Sequence, residues 1–200
     1  VILCNMGKPA RQTEPARQKK FFECLRLPIL GEISGSAQLE GGDVVWLDEK
    51  TVAVGRGYRS NDAGIHQLSA LLVDCADHIE VVHLPHFKGP GDVFHLMSIL
   101  SPVDVRKALV YSPLLPVAFR EFLLERDFQL IEVPDEEFDS MACNVLALAP
   151  GKCLALDGNP MTRKRLEKAG VDVRIYAGDE ISRKGEGGPT CLTRPLLRHR

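Results

Sequence analysis

The sequence predicts an α/β protein built from a repeated strand, strand, helix, strand unit, with the units packed side by side as a ring or array. Three observations predict it. Helical patterns begin near Asp62, Pro113 and Pro160, at intervals of 51 and 47 residues. Each is preceded by two short apolar runs and followed by a third, and loops rich in glycine, proline or acidic residues separate one pass from the next. A period of this size marks a module that buries its apolar face against its neighbours.

Residues 1–4 are strand-like, residues 7–9 turn, and residues 12–25 place Phe21, Phe22 and Leu25 on one face of a helix. A short strand is expected over 27–30. Residues 39–46 and 51–55 give two strands joined by a turn at Asp48, Glu49 and Lys50. Asn61 is placed to cap a helix over 62–73, whose Ile65, Leu68, Leu71 and Leu72 share an apolar face. A strand over 79–84 completes the pass. The second pass has strands over 93–100 and 107–111, a helix over 113–125 and a strand over 128–133. The third has strands over 142–148 and 153–156, a helix over 160–168 and a strand over 171–176. A fourth begins with a loop over 177–189 and a strand over 190–197.

Near the entrance of each first strand stand Glu40, His95, Asn144 and Cys191, at intervals of 55, 49 and 47 residues. In a ring of equivalent units, equivalent positions converge on the axis. A carboxylate, an imidazole and a thiol would then meet in one cavity as charge partner, proton shuttle and nucleophile. Cys191 follows the tight turn Gly187-Gly188-Pro189-Thr190, where a sulfur can face a cavity and be held as thiolate.

Composition narrows the function. With 26% charged residues and a formal charge of -2 over 200 residues, the chain lacks the basic surplus of a nucleic-acid binder. Arg194, Arg198, His199 and Arg200 form only a short basic terminus. No apolar run approaches the ~20 residues that span a bilayer, so no membrane partner is expected. The six cysteines show no CxxC and no tight spacing, which fits a reducing, cytoplasmic setting better than a disulfide framework. His83, His86 and His95 lack a nearby fourth ligand for zinc, and Gly55 and Gly57 are too sparse for a phosphate loop. No metal and no cofactor are expected.

The motifs resemble those of the guanidino-group modifying enzymes, the superfamily of arginine deiminase, dimethylarginine dimethylaminohydrolase and the amidinotransferases. Leu39-Glu40-Gly41-Gly42-Asp43-Val44 is similar to its (Asp/Glu)-Gly-Gly-Asp-Val element, Phe94-His95-Leu96-Met97-Ser98 to its His-Leu-x-Ser element, and residues 187–193 to its C-terminal Cys turn. Residues 55–61, with Arg59 two places before Asn61, resemble its substrate loop.

The resemblance implies a pentein-type α/β propeller of ββαβ units, here an incomplete ring of about three and a half units in a single partial domain. It also implies the chemistry. Cys191 would attack the guanidinium carbon, His95 would protonate the departing amine and then activate water, and Glu40 would hold the guanidinium in plane. Arg59 would grip the substrate's α-carboxylate, with Arg11 as a second arginine of that type, although Gln12 stands where the family often has another arginine. The implied activity is hydrolysis of an arginine-like guanidine to a citrulline-type product. Lack of room for an added helical domain favours the dimethylarginine-type branch. The rivals are an amidinotransferase using the same cysteine and a non-catalytic, arginine-binding fragment. Family members carry a further module and a half upstream, including an acidic segment. The expectation is therefore an open ring, weakly active or inactive as a monomer, with an edge strand that invites a homodimer.

Overall fold

The computed structural model describes residues 1–92, 94–193 and 195–196. The chain divides into two compact units, Val1–Leu96 and Met97–Arg200. In the first, β1 (Ile2–Leu3) runs parallel to β2 (Gly31–Glu32), with α1 (Glu14–Cys24) between them in sequence. The hairpin of β3 (Val44–Trp46) and β4 (Thr51–Arg56) follows, then α2 (Asp62–Leu71) and β5 (His78–His83), which lies parallel to β4. Asp48 shapes the hairpin turn, its Oδ1 accepting from the backbone N–H groups of Lys50 and Thr51. β4 is buried from Thr51 to Gly55, as its near-continuous apolar sequence requires of a central strand. α2 begins where Asn61 caps it, the side-chain oxygen accepting from Gly64 N–H at 2.9 Å. Its Ile65 and Leu68, with Leu72 just past its end, then close over Val52 and Val54 in one apolar core.

The second unit repeats the pattern twice. β6 (Leu100–Asp104) pairs antiparallel with β7 (Lys107–Val110); α3 (Val117–Glu125) leads to β8 (Gln129–Glu132), parallel to β7. A short α4 (Asp135–Phe138) precedes β9 (Leu146–Ala149) and β10 (Lys152–Leu156), and α5 (Pro160–Lys168) leads to β11 (Asp172–Tyr176). Glu137 of α4 is buried and caps α5 with both oxygens, each accepting at 2.7 Å from the N–H groups of Met161 and Thr162. Leu109, Ile131, Cys143, Cys153, Leu166 and Val171 share this unit's core. The repeat predicted from the sequence is therefore present as three complete ββαβ sheets and one strand, helix, strand segment. Among the described residues these are separate sheets of two or three strands, and no helix is long and apolar enough to cross a membrane.

Three of the differences from the expected elements share a cause. The strand expected over 39–46 begins only at Val44, because Gly41–Asp43 forms a 3-10 turn. Of the strand expected over 93–100, residue 93 lies outside the described residues, Leu96–Ser98 forms a 3-10 turn, and pairing starts at Leu100. Residues 141–143 likewise turn before β9. Leu96, Ile99, Ala142 and Cys143 are buried, and burial without pairing gives the same apolar run as a strand. The strand expected over 190–197 is a turn at Thr190, Cys191 and Leu192; residues 194 and 197, with Arg198, His199 and Arg200, lie outside the described residues. The strand expected over 27–30 forms at Gly31–Glu32, after Pro28, which has no N–H for a ladder. The helix expected from Pro113 starts at Val117, since Pro116 holds Leu115 extended at φ -77° and ψ 122°. The loops over 134–139 and 177–189 contain α4 and a π-helical turn, Asp179–Arg183.

Candidate functional site

In the first unit the structure draws together Glu40, His95, Arg59 and Arg11 around one carboxylate. Glu40 is 1% exposed and extended, at the entry to the Gly41–Asp43 turn. Its Oε2 lies 2.9 Å from His95 Nε2 and 3.4 Å from Arg11 Nη1; its Oε1 lies 3.3 Å from Arg59 Nε and accepts from Gly7 N–H at 3.1 Å. An ionised carboxylate only accepts, so His95 carries a proton on Nε2 and donates it. A β-carbon on Gly42 would stand 2.8 Å from the His95 ring. The double glycine after Glu40 thus lets the imidazole lie against the turn. Burial presses upward on the Glu40 pKa more than any other single influence. The hydrogen bond and charge of His95, with the charges of Arg59 and Arg11, together outweigh it and hold the carboxyl below its usual range.

A second carboxylate fixes this arrangement from beneath. Asp43 is fully buried; its Oδ1 accepts from Leu96 N–H at 2.9 Å and its Oδ2 from Ser60 Oγ at 2.6 Å. Ser60 Oγ in turn accepts from Glu40 N–H at 3.1 Å. One side chain therefore ties together the backbone of Glu40, the neighbour of His95 and the neighbour of Arg59. Burial pushes the Asp43 pKa up, against the opposing His95 charge and the hydrogen bonds it accepts. A carboxyl raised on folding contributes stability that is complete below the ordinary pKa near ~3.9 and is lost as pH rises through the raised value. The melting advantage of wild type over Asp43→Asn should accordingly grow as pH falls from 7 toward 4. A pH-independent difference in melting temperature would show that Asp43 does not titrate in the folded state.

Arg59 is 4% exposed, and its Nη2 is buried with no hydrogen-bond partner. Buried donors are seldom left so, and a free guanidinium N–H suits a carboxylate. Arg11 is more exposed and holds Glu14 through Nε and Nη2, each at 2.9 Å. Cys191 belongs to the second unit. It is exposed, and its Sγ accepts from Asn144 Nδ2 at 3.0 Å. Among the described residues no group of His, Cys, Asp or Glu is arranged to hold a metal ion.

The arginine deiminase family model matches residues 1–118 and 111–198. The chain belongs to the arginine deiminase family. Among curated relatives, this family member is 32% identical over 197 residues to the uncharacterized protein YkgA of Bacillus subtilis, covering 98% of this chain and 65% of the relative. It is 30% identical over 196 residues to arginine deiminase of Mycobacterium marinum, covering 82% of this chain and 48% of that enzyme. It thus spans half to two thirds of their length. Among solved structures, a dimethylarginine dimethylaminohydrolase (DDAH) from Pseudomonas aeruginosa, complexed with citrulline, superposes with TM-score 0.77 at 23% identity, over 95% of this chain and 68% of that one. SxtG, an amidinotransferase from Microseira wollei, superposes with TM-score 0.80 at 16% identity, over 100% and 66%. At these identities the structural likeness concerns the fold.

Within this arginine deiminase family chain, four of the five residues singled out from the sequence share one cluster, and the fifth, Cys191, is held by a residue of its own unit. Asp43 and Ser60 lie inside the motifs that carry Glu40 and Arg59, yet nothing in the sequence assigns them a role; Asn144 stands at an equivalent position in the repeat, where an uncharged amide gives no such signal.

Proposed function

We propose that this protein is a guanidine C–N hydrolase that acts on an arginine-like substrate through a covalent adduct on Cys191. The observation that carries the reading is the buried Glu40–His95 pair beside the unpartnered Nη2 of Arg59: an acceptor for a cationic head, a proton carrier and an anchor for an anionic tail. Family membership supports it. In this reading the ββαβ sheets are modules of a pentein-type propeller, incomplete over this chain.

The Cys191 thiolate adds to the guanidinium carbon, forming a C–S bond. The C–N bond to the departing amine breaks as His95 gives that nitrogen a proton. Water then loses one proton to His95 and adds to the same carbon; the remaining hydroxyl proton passes to the released amine or to solvent as the C–S bond breaks, returning the thiolate and leaving a ureido product. Glu40 orients the guanidinium and stabilises the imidazolium. To reach Oε2 the substrate competes with Arg11, whose contact there is the longest of the four.

Citrulline formed from arginine and from Nω-methylated arginines, with Cys191→Ser alongside, tests the reading. We expect product from wild type and at least ~10³-fold less from the variant, as for loss of a nucleophile. Citrulline formed at equal, measurable rates by the two would overturn it. An adduct passed to glycine or ornithine in preference to water would make the enzyme an amidinotransferase.

A further inference from the structure

We propose that Asn144 is a positioning residue for Cys191: its amide fixes the sulfur and the turn that carries it. The proposal rests on the reading of Cys191 as nucleophile. Three contacts within the second unit converge on this one amide. Asn144 Nδ2 donates to Cys191 Sγ at 3.0 Å, and Asn144 Oδ1 accepts from Thr190 N–H at 3.0 Å. Gly188 lies flat against the same group; a β-carbon there would stand 2.5 Å from both Cγ and Oδ1 of Asn144. Next in sequence, Val145 accepts from Thr190 Oγ1 through its carbonyl at 3.2 Å. The turn over 187–193 is thus registered onto residues 144–145 by backbone, side chain and close packing together.

The chemistry of the amide gives the contact a direction. An amide NH2 only donates, so the sulfur is the acceptor, and a thiolate accepts more strongly than a thiol because the hydrogen bond is charge-assisted. The same bond restrains rotation of the sulfur about the Cα–Cβ axis. An aliphatic residue at 144 could support the turn by packing but could not donate. A carboxylate could still accept from Thr190 N–H but would place a like charge beside the sulfur. Those two substitutions separate support of the turn from donation to sulfur.

The test is the rate of alkylation of Cys191 by iodoacetamide from pH 5 to 10, followed on the Cys191 peptide by mass spectrometry. Wild type, Asn144→Ala and Asn144→Asp are compared, with melting temperatures recorded. This readout needs no turnover. We expect the half-maximal pH to move up by about one unit in Asn144→Ala, as for loss of one hydrogen bond to a charged group. Nucleophilicity rises with basicity at a slope of about 0.45. Alkylation should therefore be roughly threefold slower than wild type at neutral pH and roughly threefold faster on the alkaline plateau. Asn144→Asp should shift the profile further in the same direction while keeping the wild-type melting temperature, and it serves as the test if the alanine variant does not fold.

Profiles superimposable on wild type would overturn the proposal, even if citrulline is formed. Shifted profiles with citrulline formed equally by wild type and Cys191→Ser would sustain the role of Asn144 and remove the hydrolase reading.

Discussion

Glu40→Ala is expected to destabilise the first unit by about 3–5 kcal/mol, the range for breaking a buried ion pair from one side. The reason lies in what remains. Arg59 is 4% exposed and already has a buried nitrogen without a partner; without Glu40 its nearest anion is gone. His95 loses the acceptor for Nε2, and Gly7 N–H loses the oxygen it reaches at 3.1 Å. Urea unfolding should show the midpoint falling at unchanged slope. A loss under 1 kcal/mol would mean that solvent already screens the cluster.

Glu40→Gln refines the same prediction through pH. The Glu40 pKa is depressed in the folded protein, so its contribution is present above the unfolded value of about 4.3 and fades as pH falls through the lower folded value. Wild type should therefore exceed Glu40→Gln in stability from pH 7 down to about 4.5, with the gap closing at lower pH. Citrulline formation should fall with either variant, because glutamine offers the guanidinium a neutral acceptor in place of a charged one.

The period of the chain exposed the fold, and the reason is physical. Each unit needs a central strand buried on both faces and a helix with one apolar stripe, and β4 with α2, β7 with α3 and β10 with α5 meet that need with plain patterns. Residues 40, 95, 144 and 191 were legible because they stand at one place in the repeat. Their local geometry was not, since each lies in or beside a turn where the apolar pattern suggests a strand. That bend is useful to a site: it points a side chain away from the pleat while the backbone bonds within the turn. Roles carried by support were hidden for a different reason. Asp43 and Ser60 act through Leu96 N–H and Glu40 N–H, and nothing in a linear sequence says which N–H a buried carboxylate will meet. Asn144 carries no charge and titrates nowhere, so its position in the repeat was visible and its function was not.

Gly64→Ala should be the most damaging single-methyl change in the first unit. In an isolated helix alanine would be favoured over glycine by about 1 kcal/mol. Here the new β-carbon would stand 1.9 Å from the carbonyl oxygen of Gln38 and 2.6 Å from its carbon. Backbone cannot step aside as a side chain would. Gln38 O accepts from Asn61 N–H at 3.0 Å, and Gln38 N–H donates to the Asn61 side chain at 3.0 Å, the oxygen that also caps α2. Moving α2 out to relieve the clash breaks the cap and opens Leu68, which is 2% exposed; moving residue 38 displaces Leu39 and Glu40 next to it. Overpacking of this kind costs about 3 kcal/mol, well beyond the propensity gain, so the urea midpoint should fall. Gly91→Ala is the control, since a β-carbon there meets nothing within 4 Å, and it should stay within about 0.5 kcal/mol of wild type. Because Asn61 follows Arg59 and Ser60, the surviving folded fraction of Gly64→Ala should also bind substrate more weakly, raising KM more than it lowers kcat. An unchanged midpoint and KM would mean that α2 does not pack on Gln38 in solution.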